Sequence, residues 1–176
     1  MKIVIISSSL SKKSSSLVLG EFARQYLNEK NIDTEIIDLR NYDLPVCDGE
    51  ETFDHPHVQS IKNILKTADA FIISTPIYNY DANSAIKNLI ELSGNVWVDK
   101  IVGFLCSAGG QNSYMSILAL ANSMMLDFRC VIVPRFVYAA GSSFDDNKTI
   151  ITDAKIKDRI IQLSDKLIQL TGFAAD

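Results

Sequence analysis

Short, almost uninterrupted apolar runs alternate with amphipathic segments along this chain, and that alternation constrains its fold more than any other feature. The apolar runs lie at residues 2–7, 34–39, 70–75, 101–107 and 129–138. Residues 15–29, 57–67, 82–94, 112–126 and 152–170 carry apolar side chains at helical spacing. The first, third and fourth runs are nearly continuous in apolar residues, as parallel strands covered on both faces require. Five strands in strict alternation with five helices predict a doubly wound α/β sheet. At 176 residues, 47% of them apolar, the chain fits one domain over 1–176 with a full core. The last helix repeats Ile156, Ile160, Leu163, Leu167 and Leu170, and Gly172 is expected to stop it.

Composition narrows the function classes. A net charge of −4 argues against a nucleic-acid surface. No apolar run reaches the roughly 18 residues of a membrane span, and no signal-peptide layout precedes the first strand, so the expected location is cytoplasmic. The three cysteines, Cys47, Cys106 and Cys130, form no Cys-x-x-Cys pair. Cys106 and Cys130 lie in strand-like runs and are read as inert buried thiols. His55-Pro56-His57 is read as an exposed helix start with Pro56 at its first position. No metal site is expected.

The first strand runs into Ser7-Ser8-Ser9-Leu10-Ser11-Lys12-Lys13-Ser14-Ser15-Ser16, with seven serines in ten residues, and then into a helix. A hydroxyl-rich loop between a buried strand and a helix N-terminus supplies O–H donors, free backbone N–H groups and the positive end of the helix dipole. That combination suits a terminal phosphate. Neither a nucleoside-triphosphate loop nor a dinucleotide glycine fingerprint is present, so the ligand is read as a monophosphate.

In an open parallel sheet, ligands bind beyond the C-terminal ends of the strands, where the strand order reverses. Two further loops leave strands at that edge. Pro76-Ile77-Tyr78-Asn79-Tyr80 presents two tyrosines on which a planar heterocycle can pack. Ser107-Ala108-Gly109-Gly110 contains two glycines that let the backbone approach a ligand closely. Phosphate at one end and a flat ring at the other describe a flavin mononucleotide (FMN) site.

These residues resemble the NAD(P)H-dependent FMN reductase family from Lys2 to about Phe144. The family's first loop, Gly-Ser-Leu-Arg-x-x-Ser-x-Asn, corresponds to residues 8–16: Ser9, Leu10 and Ser14 match, while Ser8, Ser11 and Ser16 replace the glycine, the arginine and the asparagine. Its Thr-Pro-Glu-Tyr-Asn motif corresponds to Thr75-Pro76-Ile77-Tyr78-Asn79, its Lys-Asn pair to Lys87-Asn88, and its Ser-Gly-Gly to Ala108-Gly109-Gly110. Loss of the loop arginine removes a planar phosphate donor, which Lys12 or Lys13 replaces only as a point charge.

The resemblance implies a flavodoxin-like, five-stranded parallel sheet of order 2-1-3-4-5 with helices on both faces. It implies FMN as cofactor and NAD(P)H as co-substrate. Ser9, Leu10, Ser11, Ser14, Ser15 and Ser16 would hold the phosphate. Pro76, Ile77, Tyr78, Asn79, Ser107, Ala108, Gly109 and Gly110 would line the ring. No dedicated catalytic side chain is expected, because the flavin carries the hydride chemistry. Hydride would pass from NAD(P)H through FMN to a small-molecule electron acceptor: a quinone, azo compound, metal oxyanion or free flavin. The helix from Ala82 would face a partner subunit in a homodimer or homotetramer. Two alternatives stay open: a one-electron carrier of the flavodoxin type, and a regulatory flavoprotein without turnover.

Overall fold

A computed structural model describes residues 1–174 of the 176. The elements run β1 (Lys2–Ser7), α1 (Ser15–Glu29), β2 (Asp33–Asp38), α2 (Pro56–Lys66), β3 (Ala70–Tyr78), β4 (Asp81–Ala82), α3 (Ser84–Ser93), β5 (Ile101–Ala108), α4 (Leu118–Phe128), β6 (Val131–Ile132), β7 (Val137–Ala140) and α5 (Ala154–Ala174). Parallel pairing gives the order β2-β1-β3-β5-β6, with β7 also on β5. With β6 and β7 counted as two halves of one interrupted strand, this is the flavodoxin-like order 2-1-3-4-5.

Side chains alternate across the sheet and build two cores. Val4, Ile6, Phe71, Ile73, Val102 and Phe104 pack under α2, α3 and α4, around the fully buried Trp97. Ile3, Ile5, Ala70, Ile72, Ile101 and Leu105 pack under α1 and α5. Ile3, Val4, Ile5 and Ile6 are all 0% exposed, and each buried aliphatic side chain contributes about 1.5–3 kcal/mol. A Cβ at Gly103 would lie 2.8 Å from Cδ2 of Leu163, so the glycine lets α5 settle against β5.

The structure differs from the sequence-based expectation at four places. The fifth strand is split: Val131 pairs with Ile101 and Val137 with Leu105. Two extra residues around Pro134, which has no N–H to donate, interrupt the ladder. The third strand continues past Thr75 to Tyr78 and turns back through β4, with Ile77 opposite Ala82 and Tyr78 opposite Asp81. Asn79 and Tyr80 at the tip have φ of 51° and 63°, the double left-handed pair of a type I′ hairpin. The fourth helix starts at Leu118 rather than Asn112. Tyr138 pins the intervening loop, with its hydroxyl 2.7 Å from Ser113 Oγ and donating to the Gly110 carbonyl at 2.6 Å. Gly172 does not stop the last helix, which runs on to Ala174; a glycine near an exposed end costs a helix only about 1 kcal/mol.

Candidate functional site

The strand ends define the site. β1 finishes at Ser7 beside Ser74, whereas β3 continues until Pro76 sits opposite Ser107 of β5. Ser74 accepts the Ser8 N–H at 3.0 Å. Pro76 lies on the same side of its strand two residues on, so its missing N–H would point where β1 has already ended. Proline is therefore tolerated inside this strand. The space left beyond β1, at the point where the order reverses, is a cavity of about 220 Å³.

One wall of that cavity is the serine loop: Ser9, Ser11, Lys13, Ser15 and Ser16. Pro76, Ile77 and Tyr78 form a second wall, Ser107, Ala108 and Gly109 a third, and Gly141 and Lys148 complete the rim. Ten of the fourteen sequence-assigned residues thus converge there. Leu10, Ser14, Asn79 and Gly110 do not line the cavity. Leu10 is 63% exposed and faces a neighbouring groove between the serine loop and α3. Ser14 is the N-cap of α1, its hydroxyl accepting the Leu17 N–H at 3.0 Å. Asn79 occupies the hairpin tip, and the Gly110 carbonyl is held by Tyr138. Ile77 is 7% exposed and belongs to the core beneath α3 and α4.

The serine loop is shaped by its own hydroxyls. Ser9 Oγ accepts the Ser11 N–H and Ser11 Oγ accepts the Lys13 N–H, both at 3.3 Å. Ser9 only accepts in these contacts, and its O–H enters no hydrogen bond among the described residues. Beneath the loop, Ser74 donates to the Ser16 carbonyl at 2.6 Å, and Ser16 Oγ lies 3.2 Å from Ser107 Oγ. Asn83 ties two loops together. Its amide nitrogen donates to the Ser8 carbonyl at 2.7 Å, and its amide oxygen lies 2.8 Å from Ser8 Oγ and 3.1 Å from Thr75 Oγ1 while capping α3.

Four contributors escaped the sequence reading. Gly141 approaches the Gly109 carbonyl, 3.2 Å from where a Cβ would stand. Lys148 reaches the rim from a turn far along the chain. Asn83 receives no role from the sequence, which predicts a third helix starting at Ala82 rather than at Ser84. Arg40, just past β2, donates to the carbonyls of Ser11 and Lys12 at 3.4 and 3.3 Å and pairs with Asp38. The hydrogen bond to Asp38 holds its pKa above the ordinary arginine value. A lone charged residue after an edge strand carries no local signal for that role. Asn88 of the Lys-Asn pair has a structural task as well: it accepts the Cys47 N–H at 2.8 Å and donates to the Pro45 carbonyl at 2.9 Å.

Among the described residues, the cavity wall contains no carboxylate, histidine or cysteine. Burial pushes the Cys106 thiol well above its ordinary range and Cys130 up to about 11, so neither is a thiolate near neutral pH. Among the described residues, no three His, Cys, Asp or Glu side chains gather as a metal site. A larger groove of about 860 Å³ runs beside α1, lined by Leu17, Val18, Phe22, Ile150 and Ile151. It is open and mostly apolar and shares no lining residue with the serine-lined cavity. The serine-lined cavity is the one whose donors suit a phosphate. Its volume is below the 300–1,000 Å³ of most ligand sites.

The order of the sheet defines a flavodoxin-like protein, and the hydroxyl-lined cavity stands at its switch point. A family model for NADPH-dependent FMN reductase matches residues 1–145, and the chain belongs to that family. It is therefore an oxidoreductase that uses FMN with NAD(P)H as co-substrate. It is 26% identical to the NAD(P)H-dependent FAD/FMN reductase of Geobacillus thermodenitrificans, over 79% of this chain and 76% of that one. It is 26% identical to the probable NADPH:quinone oxidoreductase 2 of Oryza sativa subsp. japonica, over 99% of this chain and 89% of that one. Among solved structures, FerB, a flavoenzyme NAD(P)H:(acceptor) oxidoreductase from Paracoccus denitrificans, superposes with a TM-score of 0.74 at 20% identity, covering 96% of this chain and 97% of that chain.

Proposed function

We propose that this chain transfers hydride from NAD(P)H, through FMN held at the β1/β3 switch point, to a small acceptor of the quinone, azo, metal-oxyanion or free-flavin type. The observation that carries this reading is the hydroxyl-lined cavity at the ends of β1, β3 and β5 in a chain that matches the family model. When bound, the flavin supplies the hydride chemistry itself. The protein's residues bind and orient. The serine loop offers O–H groups, and the N-terminus of α1 offers its dipole to the phosphate. Pro76 to Tyr78 and Ser107 to Gly109 would flank the ring. Backbone N–H groups at these strand ends favour negative charge developing on it. Tyr78, 54% exposed, leaves one side of the cavity open to a nicotinamide or an acceptor.

We extend the proposal to a homo-oligomer, dimer or tetramer, working in the cytoplasm. The apolar positions of α3 do not support it, because Ile86, Leu89, Ile90 and Leu92 are consumed inside the monomer. Support comes instead from Leu10 and Val46, 63% and 82% exposed, on a groove of about 500 Å³ beside the cavity. Sedimentation velocity measures the assembly directly, and a monomer at all concentrations removes that part of the proposal. No helix among the described residues is long and apolar enough to cross a membrane.

Anaerobic titration of the FMN-loaded protein with NADPH, then with NADH, tests the activity. Rapid bleaching of the oxidised-flavin band, restored by a quinone, is the expected result. A band that neither donor bleaches returns the protein to the electron-carrier or regulatory reading.

A further inference from the structure

The replacement of the family's loop arginine by Ser11 leaves a charge deficit. A flavin phosphate carries roughly −1.5 to −2 near neutral pH, and serine hydroxyls and backbone N–H groups answer it with no net charge. Among the described residues, two charged side chains line the cavity, Lys13 and Lys148, and no acid accompanies them. They arrive from opposite sides: Lys13 from the serine loop, Lys148 from the turn between β7 and α5.

The turn that carries Lys148 is tightly built. An antiparallel bridge joins Phe144 to Ile151. The Lys148 N–H donates to the Asp145 carbonyl at 2.9 Å. The N–H groups of Thr149 and Ile150 donate to Asp145 Oδ1 at 2.6 and 2.7 Å, and the Thr149 hydroxyl reaches Oδ2 at 3.1 Å. The Asp145 carboxylate is thus occupied by its own turn. Neither Lys148 nor Lys13 joins an ion pair among the described residues. Lys148 holds φ at +56°, a left-handed conformation that costs a non-glycine residue energy. The following residues, Thr149 to Ile151, line the same groove as Leu17 and Val18 in the first turns of α1. The turn therefore places Lys148 beside the end of α1 where a phosphate would sit.

We propose that Lys148 is a phosphate-binding residue of this protein, supplying with Lys13 the positive charge that the missing loop arginine would otherwise provide. The inference rests on the flavin-site reading above and adds a residue from outside the three loops that define it.

Comparing FMN with riboflavin isolates the phosphate, since the two differ by that group alone. Dissociation constants of both are measured on apo-protein by quenching of flavin fluorescence. Asparagine tolerates left-handed backbone, so Lys148→Asn removes the charge while keeping the turn. This variant is expected to bind FMN about tenfold more weakly, the scale of a lost charge-assisted contact, with riboflavin binding unchanged. Lys148→Arg keeps the charge and is expected to stay near wild type. Lys66→Gln, a charge removed at the far end of α2, controls for net charge and is expected to change neither constant. Unchanged FMN binding in Lys148→Asn overturns the proposal, and so does equal weakening of both flavins, which would mark a collapsed turn. A raised KM for NADPH with FMN affinity intact also overturns it, in favour of a pyridine-nucleotide contact. Wild-type protein that binds FMN no better than riboflavin overturns instead the underlying assignment of the phosphate site.

Discussion

Replacing Asn83 by alanine is the sharpest test of how the site is held together. The Asn83 side chain is buried, 6% exposed, and spans β1, β3 and α3. Alanine removes the cap of α3, worth about 1 kcal/mol. It also strips the Ser8 carbonyl of the amide donor that lies 2.7 Å away, and a buried acceptor left without a partner costs about 1–3 kcal/mol. The expected loss is about 3 kcal/mol. In urea that corresponds to a midpoint lower by about 1.5 M at a slope of roughly 2 kcal/mol/M. On heating it corresponds to about 6–12 °C for a domain of this size. Thr75→Val makes the comparison. It removes one hydroxyl partner of Asn83 but leaves the Ser8 carbonyl satisfied, so it should cost about 1 kcal/mol. The reasoning fails if Asn83→Ala loses less than about 1 kcal/mol, or if Thr75→Val loses as much as Asn83→Ala.

Other outcomes follow from single contacts. Ser7 Oγ is the buried side-chain polar atom without a partner among the described residues, so Ser7→Ala should be neutral or stabilising by up to about 1 kcal/mol in chemical denaturation. Gly103→Ala should destabilise by about 1–3 kcal/mol, because the new methyl meets Leu163 at 2.8 Å and overpacking strains a filled core. Arg40→Ala should barely change the melting temperature, since the ion pair with Asp38 is partly exposed; hydrogen exchange at Ser11 and Lys13 should nevertheless accelerate as the loop loses its anchor. The N–H groups of Ile150 and Thr149 hold the Asp145 carboxyl below its ordinary pKa. Its contribution to the turn is therefore fully present above the unfolded value near 4 and is lost as pH falls through the depressed folded value. Amide protection at Thr149 and Ile150 should fade over that acidic window and be reduced at all pH values in Asp145→Asn. A thiol reagent at mildly alkaline pH should modify half-buried Cys47 before Cys106 or Cys130, which mass spectrometry of the native protein would show.

The sequence by itself determined the layers of this protein and pointed to one end of its candidate site. Continuous apolar runs such as Ile3 to Ile6 read as doubly covered strands because only a sheet sandwiched by helices buries both of their faces. The serine loop read as a phosphate cradle because strand, hydroxyls and helix N-terminus are consecutive in the chain. The elements that interrupt a pattern were harder to see. The split of the last strand at Pro134, the hairpin at Asn79 and Tyr80, and the delayed start of α4 depend on what each segment packs against. Their local propensities do not settle them. Only the tertiary structure placed Arg40, Asn83, Gly141 and Lys148 around the serine loop. Arg40 follows β2, Asn83 follows β4, and Gly141 and Lys148 both follow β7; the strand order brings these segments to one edge. A residue that acts through space from a distant turn leaves no periodic or motif signal near the groups it serves, so Lys148 reads in sequence as one more charged residue in a surface loop.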